Sequence, residues 1–388
     1  MPPTLLSSFL VLMTVLLVHG PEPVTSKPHC GSKIVKSGYW PYWATDTSNL
    51  NFEFQTHVFF AFAQIDPVTY EVVPPPPSDG VSIFPTFTKL ARKSNKCVKT
   101  LLSIGGGGSM SPFSAMASSA ANRKAFIQSS IQLALNNSFD GLDLDWEFPD
   151  TQVDMDNLAI LLKEWRAEAQ KKLLLTAAVY FRNILYFWQP ADQQRRYPIA
   201  SINKNLDWIN VMCFDYRGSW ESNTGEHTAL YDPNLPVVST DDAVTDWITA
   251  GLYPHKLVMG LAFYGKQWTL QSLANTGIGA PTQTDISSKY TPVWSEIVVY
   301  LQNDGWTTVL DDATVSMYSY NTQSLQWVGY DNEVTIKKKV EYAIRIKKLK
   351  GVFVWSLNHD DSNWSLARAV ASCLNTTFSP WMSCSKPP

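Results

Sequence analysis

Apolar, β-branched and aromatic residues gather in eight short runs along the chain: Ile34 to Trp40, His57 to Ala63, Val98 to Ile104, Phe139 to Trp146, Leu173 to Tyr180, Asp207 to Phe214, Leu257 to Tyr264 and Gly351 to Leu357. Each is nearly continuous in apolar content, the pattern of a strand covered on both faces. Stretches with helical periodicity lie between several of them, including Ala121 to Leu135, Met155 to Lys172, Asp241 to Ala250 and Val334 to Lys350. Strands alternating with helices predict an α/β protein with a parallel sheet, and eight such units predict a closed (β/α)8 TIM barrel. A doubly wound open sheet is the alternative, but no glycine-rich dinucleotide fingerprint follows the first run.

About 85 residues separate the seventh run from the eighth, where one helix with its loops needs roughly 30. Residues 266–331 are therefore expected to form a small α+β insertion subdomain between the seventh and eighth strands. Val315 to Tyr320 and Leu325 to Tyr330 read as paired strands across a turn at Asn321 to Ser324, and Pro292 to Asn303 reads as a helix. At the N-terminus, Leu5 to Val18 is apolar except for Ser7, Ser8 and Thr14. That is shorter than the roughly 20 residues of a bilayer-spanning helix, so residues 1–26 read as a cleaved secretory signal. The expected organisation is a barrel over 27–375, the insertion within it and a tail over 376–388. Sequons at Asn136, Asn363 and Asn375 suit a secreted glycoprotein, with extracellular and vacuolar destinations both open.

With 45% hydrophobic and 17% charged residues, the chain of 388 residues has ample material for a large core. Its net charge of −3 supplies no basic field for a phosphate backbone, which argues against a nucleic-acid partner. Fifteen Trp, sixteen Tyr and eighteen Phe exceed ordinary core filling and suit a ligand gripped by stacking. The five cysteines are too scattered for a disulfide scaffold or a zinc site. Cys213 reads as a small core residue, and a pair among Cys30, Cys373 and Cys384 suits an oxidising compartment, with Cys97 the remaining cysteine.

The stretch Asp140-Gly141-Leu142-Asp143-Leu144-Asp145-Trp146-Glu147 carries the chemistry. On a strand, Asp143, Asp145 and Glu147 point one way, about 7 Å apart at each step, and Leu142, Leu144 and Trp146 point the other. The apolar set packs on helices, so the acids face the barrel interior with Glu147 nearest the C-terminal rim. Crowded, buried carboxyls retain protons, which is how one acquires the raised pKa of a general acid. The alternatives are a structural acid cluster and a metal site, but the six histidines hold no ligand-like spacing.

This stretch resembles the D-x-x-D-x-D-x-E signature of glycoside hydrolase family 18, and the whole mature chain is similar to the plant class V chitinases of that family. Further matches follow in order: Ser103-Ile104-Gly105-Gly106 on the third strand, Met212-Cys213-Phe214-Asp215 on the sixth, Met259-Gly260-Leu261 with Tyr264-Gly265 on the seventh, and Gly351 to Trp355 on the eighth. The resemblance implies retaining hydrolysis of β-1,4-linked N-acetylglucosamine in chitin or chitooligosaccharides, with the substrate's own acetamido oxygen as nucleophile. Glu147 would be the acid and then the base, Asp145 would orient the acetamide, Asp143 would share its proton, and Asp215 would bond the acetamide from the facing side. Trp355 would floor the sugar site, with Tyr39, Phe62 and Tyr264 as walls and Gly106, Met212 and Phe214 completing the substrate-binding set. No metal, no diffusible cofactor, no membrane in the mature form and a monomer are expected.

Three positions depart from the family pattern. Phe214 stands where relatives carry Tyr, Lys266 where many carry Arg, and Gly107 where animal relatives often carry Trp. The loss of one phenol donor favours a rival reading, a carbohydrate-binding lectin that retains the barrel; a hydrolase of a lipochitooligosaccharide signal is a further alternative, since the chain does not specify polymer, oligomer or lipid-modified substrate.

Overall fold

A computed structural model of the chain describes residues 32–48, 50–107, 112–218, 220–233, 238–283 and 290–375. The expected leader and tail, with Cys30 and Cys384, lie outside these residues. Eight parallel strands form the barrel: β1 Val35–Pro41, β2 His57–Ile65, β3 Lys99–Gly105, β4 Gly141–Asp145, β5 Leu174–Val179, β6 Trp208–Val211, β7 Leu257–Ala262 and β8 Gly351–Trp355. Neighbours in the sequence are neighbours in the sheet, and β1 pairs with both β2 and β8, which closes the ring. Closure leaves no open edge among the eight strands.

Two apolar layers follow from the alternation along each strand. Inside the barrel Val35, Tyr39, Phe59, Leu101, Trp208, Val258 and Phe353 pack as one cluster. Outside it Leu142, Leu144, Val211 and Val352 meet the helices. The helix Gln152–Ala169 shows why the second layer is stable: Leu158, Leu161, Leu162 and Trp165 are spaced 3, 4 and 7 residues along it and all are buried. Each such side chain contributes about 1.5–3 kcal/mol by leaving water. Thr151 and Asp154 start that helix with reciprocal side-chain bonds to each other's backbone N–H, both 3.0 Å.

The run expected as one helix from Val334 to Lys350 ends earlier. An α-helix spans Glu333–Glu341 and passes into a wider π turn at Tyr342–Ile346, where the Lys347 N–H donates to the Tyr342 carbonyl at 3.0 Å. Lys348 then takes a left-handed φ of 55° and returns the chain to Gly351, where any Cβ would collide with the Val35 carbonyl.

Between β7 and β8 stands a four-stranded antiparallel sheet of Lys266–Thr269, Gln326–Tyr330, Ser316–Asn321 and Trp306–Asp311, in that spatial order, with a helix at Trp294–Tyr300. Trp268 and Trp327 pack edge to face at 5.5 Å in its own small core.

Cys213 is buried in the outer layer, and burial pushes its thiol up to about 12. Cys97 is disulfide-bonded, its partner lying outside the described residues, whereas the buried Cys373 thiol donates to the Lys337 carbonyl at 3.8 Å. The bridge therefore draws on Cys97, a cysteine the spacing had left aside. Among the described residues no helix is long and apolar enough to cross a membrane.

Candidate active site

Strand register builds the first part of the site. Ser103 on β3, Asp143 on β4 and Thr176 on β5 are paired side by side, so their side chains point together into the barrel. Ser103 Oγ donates to Asp143 Oδ2 at 2.7 Å and Thr176 Oγ1 donates to Oδ1 at 2.5 Å. Tyr39 OH adds a third bond to Oδ2 at 2.9 Å and itself accepts from Asn210 Nδ2 at 2.9 Å. Burial raises the Asp143 carboxyl, and these hydroxyl donors partly offset the rise.

Asp145 lies two residues nearer the mouth and is only 4% exposed. Its Oδ1 meets no hydrogen-bond partner among the described residues. Burial, followed by the nearby charges of Glu147 and Asp143, pushes this carboxyl well above the usual range. Glu147 stands two residues past the end of β4 and presents its surface to the open cleft. The cleft walls still hold back enough water to raise it, while a hydrogen bond with Asp145 opposes, Asp215 adds to the rise and the Gly107 N–H opposes. The pair retains a proton under conditions that ionise an ordinary carboxylate. A Cβ on Gly107 would stand 3.0 Å from Glu147 Oε2, so a bulky residue there would crowd the acid.

The opposite wall carries Asp215 just beyond β6, in a left-handed conformation with φ of 61°. Tyr264 OH donates to its Oδ1 at 2.8 Å, and Lys266 Nζ lies 2.9 Å from the same oxygen. His227, fully buried, bonds the Tyr264 carbonyl at 3.1 Å through Nε2 and holds Nδ1 3.6 Å from Asp215. Burial alone would raise Asp215, but His227 and the Lys266 charge override it and hold the carboxyl far below the usual range. The site thus has a proton-retaining wall and an ionised wall facing each other.

Aromatic rings floor the space between. Trp355, half-buried at the end of β8, stacks on Phe62 at 5.7 Å and 22° and meets Tyr39 at 5.5 Å. Tyr39 is 2% exposed, so it lies beneath the floor and bonds Asp143, a deeper place than the wall position expected for it. Gly106 has φ of 91°, and a Cβ there would stand 2.5 Å from the Phe62 ring. Phe214 turns its ring into the barrel against Tyr264 and Phe353, at 6.1 and 6.0 Å, and Met212 packs beside that cluster. Trp43 is 45% exposed, lies 6.5 Å from Trp355 and extends the aromatic surface; sequence reasoning missed it because it falls in a loop after β1. Asn210 and His227 were missed as well, since neither stands in a motif. Among the described residues no cluster of His, Cys, Asp and Glu has the form of a metal site.

A closed barrel with an acid column at its C-terminal mouth is the arrangement of a barrel hydrolase. Residues 35–360 match the glycosyl hydrolases family 18, and the chain belongs to that family. It is 40% identical over 359 residues to a class V chitinase of Lotus japonicus, covering 87% of this chain and 85% of that one. The crystal structure of a mutant class V chitinase from Nicotiana tobaccum in complex with NAG4 superposes with a TM-score of 0.81 at 35% identity, over 89% of this chain and 100% of that one. A chitinase-like agglutinin from Robinia pseudoacacia is also similar, with a TM-score of 0.77 at 36% identity over 88% of this chain and 100% of that one.

Proposed function

We propose that the chain is a retaining chitinase that cleaves β-1,4-linked N-acetylglucosamine by substrate-assisted catalysis. The observation that carries this reading is Asp145, buried beside Glu147 with one oxygen unpartnered among the described residues. A carboxyl so placed accepts an acetamide N–H, and the bond orients the acetamide oxygen toward the anomeric carbon. Glu147 gives its proton to the glycosidic oxygen as the C1–O bond breaks, and the acetamido oxygen closes on C1 to form an oxazolinium ion. Negative charge on Asp145 stabilises that cation while the proton it held passes to Asp143, whose bonded oxygens keep the pair in place. Glu147, now a carboxylate, takes a proton from water as the water oxygen attacks C1 and the oxazoline ring opens. Asp215 bonds the acetamide region from the ionised wall, and Trp355 supports the distorted sugar. A secreted or vacuolar place of action accompanies this reading through the apolar run Leu5 to Val18.

A lectin is the second reading, favoured by Phe214, which lacks the family's phenol donor, and by the similarity to the Robinia agglutinin. One experiment separates the two. Proton NMR during the first minutes with an N-acetylglucosamine tetramer should show shorter products whose new reducing ends are β-anomers, because two displacements at C1 retain configuration. Initial α-anomer would eliminate the substrate-assisted route, and absence of products with retained binding would leave the lectin.

A further inference from the structure

The insertion subdomain carries a groove of about 440 Å³ on the far side of its sheet from the acids, within the roughly 300–1,000 Å³ of ligand clefts. Strand alternation sets the separation: Lys266 turns to Asp215, whereas its neighbour Gln267 turns to the opposite face. Tyr300 and Trp306 form a stacked pair in the groove, 5.1 Å apart at 27°. The side-chain amides of Gln267 and Asn303 bond none of the described residues, and Gln326 spends only its carbonyl oxygen, on Ser324. The Tyr300 hydroxyl is buried without a partner among the described residues.

The lining chemistry selects a class of ligand. Among the described residues no Lys or Arg lines the groove, so its described lining presents no cation to an anion. Glu296, the one carboxylate among its described lining residues, already accepts from Tyr290 OH at 3.1 Å and from the Val293 N–H at 2.9 Å, so it does not call for a cation. Uncommitted amides that both donate and accept, set beside a flat aromatic pair, match a neutral sugar, whose C–H face stacks and whose hydroxyls and acetamido groups bond.

We infer that this groove is a second binding site for a β-1,4-linked N-acetylglucosamine chain, one that holds polymeric chitin while the cleft works on a separate stretch. The choice of this sugar rests on the chitinase reading. Binding at two sites on one polymer raises the effective concentration of the second contact, so modest affinity in the groove suffices.

The test uses the full chain with the double change Gln267→Ala and Asn303→Ala, two polar side chains whose removal leaves the packed core intact. Partition onto chitin beads should fall about tenfold, with kcat and KM for the soluble tetramer unchanged within about twofold. A crystal of Glu147→Gln soaked with a hexamer should show sugar across Trp306. Unchanged partition with an empty groove overturns the proposal, as does equal retention of the parent and the double variant on cellulose and chitin. Failure of the chitinase reading is seen separately, as absence of tetramer turnover, while bead partition and the soak still report on the groove.

Discussion

Asp143 and Asp145 stand two residues apart on one strand and meet opposite surroundings. Asp143 receives three hydroxyl donors and is fixed by them, whereas Asp145 keeps an oxygen with no partner among the described residues. A buried polar group left open costs about 1–3 kcal/mol, a cost tolerated where a substrate supplies the missing bond. Asp215 across the cleft offers the complementary contrast, because a lysine, a tyrosine and a histidine hold it ionised. The site separates its acids by environment, so that one wall keeps a proton and the other keeps a charge.

The sharpest way to break that division is to remove the proton donor. Glu147→Gln preserves the shape of the cleft but has no acidic proton, and general acid–base catalysis is worth about 10²–10⁴-fold. Tetramer turnover should fall by roughly 10³-fold while calorimetry shows the oligomer still binding. A variant that keeps a tenth of the parent rate would mean that Glu147 is not the acid.

The next largest effect comes from disturbing the ionised wall. Lys266→Met removes the cation beside Asp215 and leaves His227 and the Tyr264 hydroxyl alone to oppose the rise that burial causes. Since the cation lowers the folded pKa, its loss moves the protonation of Asp215 to higher pH, and the acid limb of kcat/KM should move with it. A shift of about one unit corresponds to a roughly tenfold loss at pH values on that limb and a smaller loss at neutrality. An acid limb that does not move would show that the charge on Asp215 is immaterial to the reaction.

These carboxyls were legible in the sequence because a period of two is written into Leu142-Asp143-Leu144-Asp145, and the eight barrel strands were legible because each is a dense apolar run. The partners of Asp143 were not, since Ser103, Thr176 and Tyr39 come from three other strands and meet it only through register. Asn210 supports Tyr39 from 171 positions away along the chain. In the insertion, the strands Ser316–Asn321 and Gln326–Tyr330 follow the β-rich pattern, but Lys266–Thr269 is only four residues long and half polar, too little for periodicity to register. The π turn at Tyr342–Ile346 escaped notice because its side chains keep a helical spacing while its backbone does not.

Phe214 sharpens the comparison from inside the ionised wall. Its ring packs against Tyr264, the donor to Asp215, and against Phe353 and the Gly260 backbone. Cys213 and Tyr216 belong to the outer layer and do not enclose it. Phe214→Tyr restores the family's hydroxyl, and a bond of about 1 kcal/mol formed in the transition state is worth roughly fivefold in kcat. Kinetics on the tetramer, read with thermal melts, check this. Unchanged kcat with a lower melting temperature would make Phe214 a packing residue and strengthen the lectin reading.

The smallest effect should come from behind the ionised wall, where Glu226 adjoins the His227 that backs Asp215. Glu226 is 3% exposed and neither of its oxygens has a hydrogen-bond partner among the described residues. Burial, and then the Asp331 charge, push its carboxyl well above the usual range against the opposing pull of Lys339. The folded state therefore binds this proton more tightly than the unfolded chain, whose Glu titrates near about 4.3. From that pH up to the folded value the unfolded state holds fewer protons, so stability falls as pH rises, by at most about 1.4 kcal/mol per unit. Glu226→Gln cannot ionise and escapes the fall. Its melting temperature relative to the parent should rise between pH 5 and pH 7 by roughly 2 °C per unit, with tetramer turnover at pH 7 little changed. A difference that stays constant across that range would mean that Glu226 is ionised in the folded protein and finds a partner there, and the charge backing Asp215 would then extend one residue further.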